Sequence, residues 1–108
     1  MWNMPTTEEL SKLPGLYETE KVPLKKKIVH MHFFISGCDW WAVEYDPRTK
    51  LFFGFVILNG DLLNAEWGYF NLEELDDIHL KYLEVDRDLH FEPQTAEEIK
   101  EIREAQSW

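Results

Sequence analysis

The sequence has little cysteine and no long apolar run. Cys38 is the only cysteine, so no intramolecular disulfide can form, which is typical of a reducing cytoplasm. The longest apolar stretch, residues 51–58, is much shorter than the roughly 20 residues of a membrane-spanning helix. Residues 1–5 contain no Lys or Arg, and we expect no signal peptide there. These features predict a cytoplasmic protein with no membrane contact.

Motifs for common chemistry are also missing. The chain contains no Walker loop, G-x-G-x-x-G, H-E-x-x-H, C-x-x-C or G-x-S-x-G pattern. The sequence therefore predicts no cofactor, no metal and no catalytic residue that a motif identifies, and it favours a binding protein over an enzyme.

Bases are scarce, with 11 Lys and Arg against 21 Asp and Glu and a net charge of −10. Residues 1–58 are neutral, so residues 59–108 carry all of the net charge. Because phosphate contacts need clustered bases, direct nucleic-acid binding is not expected. The run Lys25-Lys26-Lys27 precedes a predicted strand, and we interpret it as a solvated strand entry.

The acidic half could steer the protein toward a basic protein surface, or it could be only a solvated face. In a predicted edge strand, alternation puts three of the acids on one face. There they could simply blunt the edge, or they could hold a hard cation or receive a basic partner. The candidate partner surface consists of Asp76, Asp77, Glu84, Asp86 and Asp88.

The hydrophobic content of 44% and the length of 108 residues indicate one domain spanning residues 1–108. Capping boxes at Thr6–Glu9 and Thr95–Glu98 predict two helices, and Asn71 is a candidate cap for a short one. Alternation and turn signals predict strands at 28–36, 40–46, 51–58, 66–70 and, as an edge, 85–91. The expected fold is α+β, an antiparallel meander of about four to five strands with two to three short helices.

The loop of the first hairpin decides which side chains share a face. A two-residue loop, Gly37-Cys38, would put Glu44 opposite Met31 on an apolar face. A three-residue loop, residues 37–39, instead aligns the apolar positions of both strands. Because a one-residue slip moves every side chain to the other face, we predict the three-residue loop.

That register predicts a mixed face of histidines, carboxylates and aromatic rings. His32 would lie opposite Glu44 and His30 opposite Asp46. A four-residue loop in the next hairpin would bring Phe53 beside Glu44 and Phe55 beside Ala42. The candidate ligand or partner face consists of His30, His32, Trp40, Glu44, Asp46 and Phe53.

Four interpretations of this face stay open. The His32–Glu44 pair could be structural, or the face could bind a ligand or partner. The two histidines with a carboxylate could also ligate a metal, or His32 and Glu44 could act as an acid–base pair in a hydrolase.

A second polar cluster surrounds the turn signal Asn59-Gly60. Its polar members could act at a site, or they could bond to their own backbone, as turn residues do. The cluster consists of Asn59, Asp61, Asn64 and Glu66.

Several motifs together resemble the bacterial domain-of-unknown-function family 2958, from about Leu13 to about Glu92. They are His30-x-His32-Phe33-Phe34, Asp39-Trp40, Glu44-Tyr45-Asp46, Phe52-Phe53-Gly54, Asn59-Gly60-Asp61-Leu62, Asn64-Ala65-Glu66-Trp67-Gly68-Tyr69 and Glu84-Val85-Asp86-Arg87-Asp88-Leu89-His90. The resemblance implies a small protein of plasmids, integrative elements and phages. It carries over no catalytic residue, and it suggests a role in transfer or in countering host defence.

Three functions follow as hypotheses. The first is a non-enzymatic inhibitor of a host defence system, anti-CRISPR-like or anti-restriction-like, whose acidic surface mimics nucleic acid before a basic protein. The second is a small-molecule or nucleotide binder that uses the His/Glu face. The third is a metal-dependent hydrolase on the same face.

Overall fold

A computed structural model describes residues 2–80 and 83–108, with the backbone alone at His79 and Leu80. The helices are α1 (Thr7–Leu10), α2 (Leu72–Asp76) and α3 (Lys100–Gln106), with 3₁₀ turns at Leu24–Lys26 and Ala96–Glu98. The strands are β1 (Ile28–Val29), β2 (Met31–Ile35), β3 (Cys38–Asp46), β4 (Leu51–Ile57), β5 (Glu66–Asn71), β6 (His79–Leu80), β7 (Leu83–Glu84), β8 (Asp86–Arg87) and β9 (Gln94–Thr95).

The main sheet has five antiparallel strands in the order β5-β4-β3-β2-β8. The strands from β2 to β5 form the predicted meander, and β8 adds to its far edge against β2. Two small pairs, β1 with β9 and β6 with β7, lie outside this sheet. The predicted α+β class is confirmed, and the predicted edge strand 85–91 is shortened to Asp86–Arg87.

Local capping signals place the helices as predicted. Thr6 accepts a hydrogen bond from the Glu9 amide, and Glu9 accepts one from the Thr6 amide. The Asn71 side chain accepts from the Glu73 amide at the start of α2. Thr95 and Glu98 form a second capping box ahead of α3. These contacts span two or three residues, which is why sequence alone predicts them.

The first hairpin differs from both registers considered above. Ile35 pairs with Cys38, so the loop is Ser36-Gly37, with φ of +39° and +86°. Two central residues with positive φ match the type I′ turn, whose twist suits a two-residue hairpin. The predicted three-residue loop is therefore wrong.

A β-bulge at Val43 explains why simple alternation failed. Ala42 pairs with Gly54 and Glu44 with Phe53, which leaves Val43 as the extra residue of β3. The extra residue shifts the alternation of side chains along β3 by one position. As a result, Trp40 and Ala42 before the bulge and Tyr45 after it pack in one core with Phe33. The predicted neighbour of Glu44, Phe53, is confirmed, whereas Phe55 pairs with Trp41 rather than with Ala42.

The sheet has a core on each face. One core contains Phe33, Phe52 and Leu75, which α1 and α2 help to cover. The other contains Trp41 and Phe55, covered by the apolar stripe Ile99 and Ile102. The sheet thus buries aromatic rings on both sides.

Among the residues that the structure describes, no helix is long and apolar enough to cross a membrane.

Candidate functional site

A polar contact between two strands of the sheet joins His32 and Asp39. Their strands pair so that Phe34 lies opposite Asp39 and Trp41 opposite His32. The two side chains are therefore diagonal neighbours on one face, and His32 Nε2 lies 2.7 Å from Asp39 Oδ1. Both side chains keep partial exposure, 18% for His32 and 27% for Asp39. The predicted pairing of His32 with Glu44 is wrong because the hairpin register differs.

Aromatic rings hold the imidazole in place. The His32 ring stacks on Trp41 with a centroid distance of 4.8 Å and an interplanar angle of 5°. Phe34 and Phe91 lie 5.6 Å and 6.2 Å away. Because the carboxylate and the stacked ring fix both its position and its plane, the imidazole is preorganised for binding.

A cleft of about 550 Å³ opens at this pair, beside the β2–β8 edge. We call it the His32–Asp39 cleft. It brings together members of the predicted mixed face and of the predicted acidic surface. It is lined by Asn3, His32, Phe34, Ser36, Gly37, Cys38, Asp39, Asp86, Arg87, Asp88, Leu89 and His90.

Asp86 and Arg87 attach the N-terminal segment to this edge. Asp86 accepts from the backbone and side-chain nitrogens of Asn3, both at 2.9 Å. Burial alone would raise the pKa of Asp86, but the hydrogen bonds from Asn3 and from the Arg87 amide lower it. Arg87 donates to the Asn3 carbonyl at 3.0 Å and to Glu9 at 2.9 Å. Asp86 is therefore a structural anchor as well as a charge.

The loop after β8 completes the cleft. The Asp88 amide donates to the His32 carbonyl, and the Asp88 carboxylate accepts from the His90 amide at 3.0 Å. The cleft is thus lined by the carboxylates of Asp39, Asp86 and Asp88. It also contains the Arg87 guanidinium, which is already paired with Glu9. Such a space favours a cationic or neutral ligand over a phosphate.

Among the described residues, no hydroxyl or thiol is hydrogen-bonded to the His32 ring. The Cys38 thiol contacts Asn59, whose amide donates to Sγ at 3.4 Å. In the described ranges, Asp39 is the one side chain within hydrogen-bond distance of the His32 ring. Over the same part of the chain, no group of three or more His, Cys, Asp or Glu could hold a metal ion.

Glu44 lies apart from the histidines and is buried, with 3% exposure. Its carboxylate accepts from the Tyr17 amide at 2.9 Å, the Thr19 amide at 3.0 Å and the Thr19 hydroxyl. Lys27 is also buried and donates to the carbonyl and hydroxyl of Thr19. The interpretation of Lys27 as a solvated strand entry is wrong, because it helps Glu44 hold the loop of residues 16–27 on the sheet.

Three other members of the predicted face are dispersed. His30 donates its amide to the Ala42 carbonyl and is half-buried, and burial lowers its pKa. Asp46 accepts from the Arg48 amide and the Thr49 hydroxyl in the β3–β4 turn. The predicted His30–Asp46 pairing is wrong, because the observed register places His30 against Ala42. Trp40 is buried in the opposite core with Phe33.

The polar loop surrounds a separate cavity of about 420 Å³, lined by Asn59, Asp61, Asn64 and Glu66 among others. Asp61 accepts from the Leu63 and Asn64 amides and from the Asn64 side chain at 2.7 Å. The Asn64 hydrogen bonds lower the pKa of Asp61. These are the contacts of an Asx turn, and they give Asp61 and Asn64 a role in the turn itself.

The predicted acidic surface divides between two places. Asp76 and Asp77 are exposed at the end of α2, and Glu84 is exposed on β7. Asp86 and Asp88 are half-buried in the His32–Asp39 cleft.

Asp39 is the site residue that the sequence reasoning missed. The missed signal is Gly37, because glycine favours the second position of a type I′ turn and so defines a two-residue loop at Ser36-Gly37. A loop at these two residues sets the register of β2 and β3, and that register places Asp39 diagonally next to His32.

The fold and its cleft define a small α+β protein with an aromatic and acidic surface site. The chain belongs to the family described as "Protein of unknown function (DUF2958)", which matches residues 11–105. A search of the curated proteins finds no match. A search of the solved structures also finds none.

Proposed function

We propose that this protein is a non-enzymatic binding protein that docks on a basic surface of another protein. The observation that carries the proposal is the exposure of the acidic residues in the second half of the chain. Of the fourteen acidic residues in 59–108, eleven are exposed and three are half-buried. A surface of this sign complements a basic face and speeds encounter with it.

Helix α2 is the centre of the proposed docking surface. Its buried side consists of Leu72 and Leu75, so its other positions face water. Asp76 and Asp77 are exposed and have no ion-pair partner among the described side chains. Together with the neighbouring Glu74, and with Glu73, which pairs with Lys50, they form an acidic surface.

In its biological setting, we propose a cytoplasmic protein of mobile genetic elements that inhibits a host defence system. The acidic half would occupy a basic groove that normally holds nucleic acid, as an anti-CRISPR or anti-restriction protein would. A net charge of −10, concentrated in residues 59–108, supports such mimicry.

The test is crosslinked capture from host lysate, followed by binding to the identified protein over a salt series. Asp76→Lys with Asp77→Lys should slow association and flatten the salt dependence, because exposed charges act mainly on the association rate. Glu92→Lys with Glu101→Lys is the matched control, with the same change of charge at exposed positions elsewhere. Asp86 is unsuitable for reversal because it anchors Asn3.

Unchanged binding of the α2 double variant at low salt would contradict the proposal. So would an equal loss in the control, since it would reflect total charge rather than a docking surface.

A second candidate function is small-molecule binding in the His32–Asp39 cleft. The stacked and hydrogen-bonded imidazole favours it, because a polar group held in a fixed position in a cleft is typical of ligand sites. A ligand panel read by thermal shift would test it. His32→Ala should abolish any shift, and the α2 double variant should preserve it.

A further inference from the structure

A separate cavity of about 610 Å³ lies between α1, the β3–β4 turn and α2. We call it the Tyr45 cavity. Its walls are largely apolar and include Pro5, Leu10, Leu13 and Leu72. Both its size and its lining are those of small-molecule sites, which range over about 300–1,000 Å³.

The Tyr45 side chain lines this cavity and is 5% exposed. Its ring packs on Phe52 at 4.6 Å, but its hydroxyl has no hydrogen-bond partner within residues 2–80 and 83–108. Burial, with the charges of Asp46 and Glu73, raises the pKa of Tyr45, so the hydroxyl stays protonated. The Tyr45 hydroxyl is therefore a protonated polar group at the wall of the cavity that is available to a ligand.

The two charged residues of the cavity differ in their availability. Lys50 lies 3.3 Å from Glu73 and is already neutralised. The Glu18 amide donates to the Gly15 carbonyl, but the Glu18 carboxylate has no ion-pair or hydrogen-bond partner in the described part of the chain. Its Oε1 lies directly over Gly15, since a Cβ built on Gly15 would be 2.5 Å from that oxygen. The available charge at this cavity is therefore negative.

We infer that the Tyr45 cavity binds a small amphipathic amine. The apolar body fills the space between Leu10, Leu13 and Leu72, and the ammonium group meets the Glu18 carboxylate and the Tyr45 hydroxyl oxygen. The net charge of −10 further favours a cation over an anion. This site adjoins α2 through Leu72, but Asp76 and Asp77 of the proposed docking surface do not line it.

The test compares three probes of equal chain length, octylammonium, octanol and octanoate, by NMR titration of the full chain. Octylammonium should bind about tenfold more tightly than octanol, because hydrogen bonds to charged groups are stronger than neutral ones. Octanoate should bind most weakly. Shifted resonances should map to the cavity walls.

Variants assign the polar contacts. Glu18→Gln should abolish the preference for the amine, whereas Glu20→Gln, an exposed carboxylate in the same loop that does not line the cavity, should preserve it. Tyr45→Phe keeps the ring but removes the hydroxyl, and it should weaken the binding of octylammonium several-fold. The melting temperature of this variant records whether its fold is intact.

Three results would overturn the inference. They are tightest binding of octanoate, equal binding of amine and alcohol in the unmodified protein, and no binding of any probe.

Discussion

The carboxylate of Glu9 accepts a hydrogen bond from the guanidinium of Arg87 at 2.9 Å, across 78 positions of the chain. Glu9 lies in α1 and Arg87 in the edge strand β8. The same guanidinium also binds the Asn3 carbonyl. These contacts hold the N-terminal segment against one edge of the sheet. Asn3 and Arg87 also line the His32–Asp39 cleft.

The Glu9–Arg87 pair predicts a pH-dependent stability difference. The hydrogen bond from Arg87, with that from the Thr6 amide, lowers the pKa of Glu9 from 4.5 to about 2. The pair therefore makes its full contribution to the free energy of unfolding above about pH 4.5, and this contribution is lost as the pH falls toward 2. Glu9→Gln should cost about 1 kcal/mol or less at pH 7, because the Glu9 side chain is 39% exposed and screened.

Urea unfolding of the unmodified protein and of Glu9→Gln from pH 7 to pH 2 measures the difference in their free energies of unfolding. It should shrink across the interval between pH 4.5 and 2. A difference that stays constant over that range would assign the loss to capping geometry rather than to ionisation.

Buried Glu44 should be essential for the loop of residues 16–27. Glu44→Ala leaves the Tyr17 and Thr19 amides without their acceptor and should cost about 3 kcal/mol. Amide hydrogen exchange at these two residues should accelerate more than elsewhere. Glu20→Ala, an exposed carboxylate of the same loop, is the control and should change neither quantity.

The close approach of β3 to Gly54 predicts unequal responses to alanine at two paired glycines. Gly54 and Gly68 lie opposite each other on β4 and β5. A Cβ on Gly54 would lie 1.8 Å from the Trp41 carbonyl oxygen, whereas one on Gly68 would meet nothing within 4 Å. Gly54→Ala should therefore cost about 3 kcal/mol or more, since backbone must move. Thermal unfolding of Gly68→Ala should show little change, and a similar loss in both variants would contradict the steric explanation.

The core under α3 predicts a fourth stability effect. Ile102 is fully buried, and Ile102→Ala should lower the free energy of unfolding by about 2–5 kcal/mol through lost burial and a cavity. Ile28 is 41% exposed, so Ile28→Ala is a matched control with a much smaller expected loss. Denaturant midpoints at constant m-value measure both, and equal losses would show that α3 does not seal this core.

The sequence by itself determined what depends on near neighbours. The capping boxes at Thr6–Glu9 and Thr95–Glu98, the Asn71 cap and the approximate strand positions follow from contacts within a few residues. The α+β class and the family membership follow from the order of these elements and from the motifs. Phe53 beside Glu44 was also predictable, because it lies between the β3–β4 turn and the bulge.

Only the tertiary structure decided the partners of the polar side chains. The Ser36-Gly37 loop and the bulge at Val43 set the register, and a one-residue change moves every side chain to the other face. His32 therefore meets Asp39, and Glu44 meets the backbone of a loop 25 to 27 residues earlier. Such pairings depend on how distant segments pack, and alternation along one strand carries no information about them.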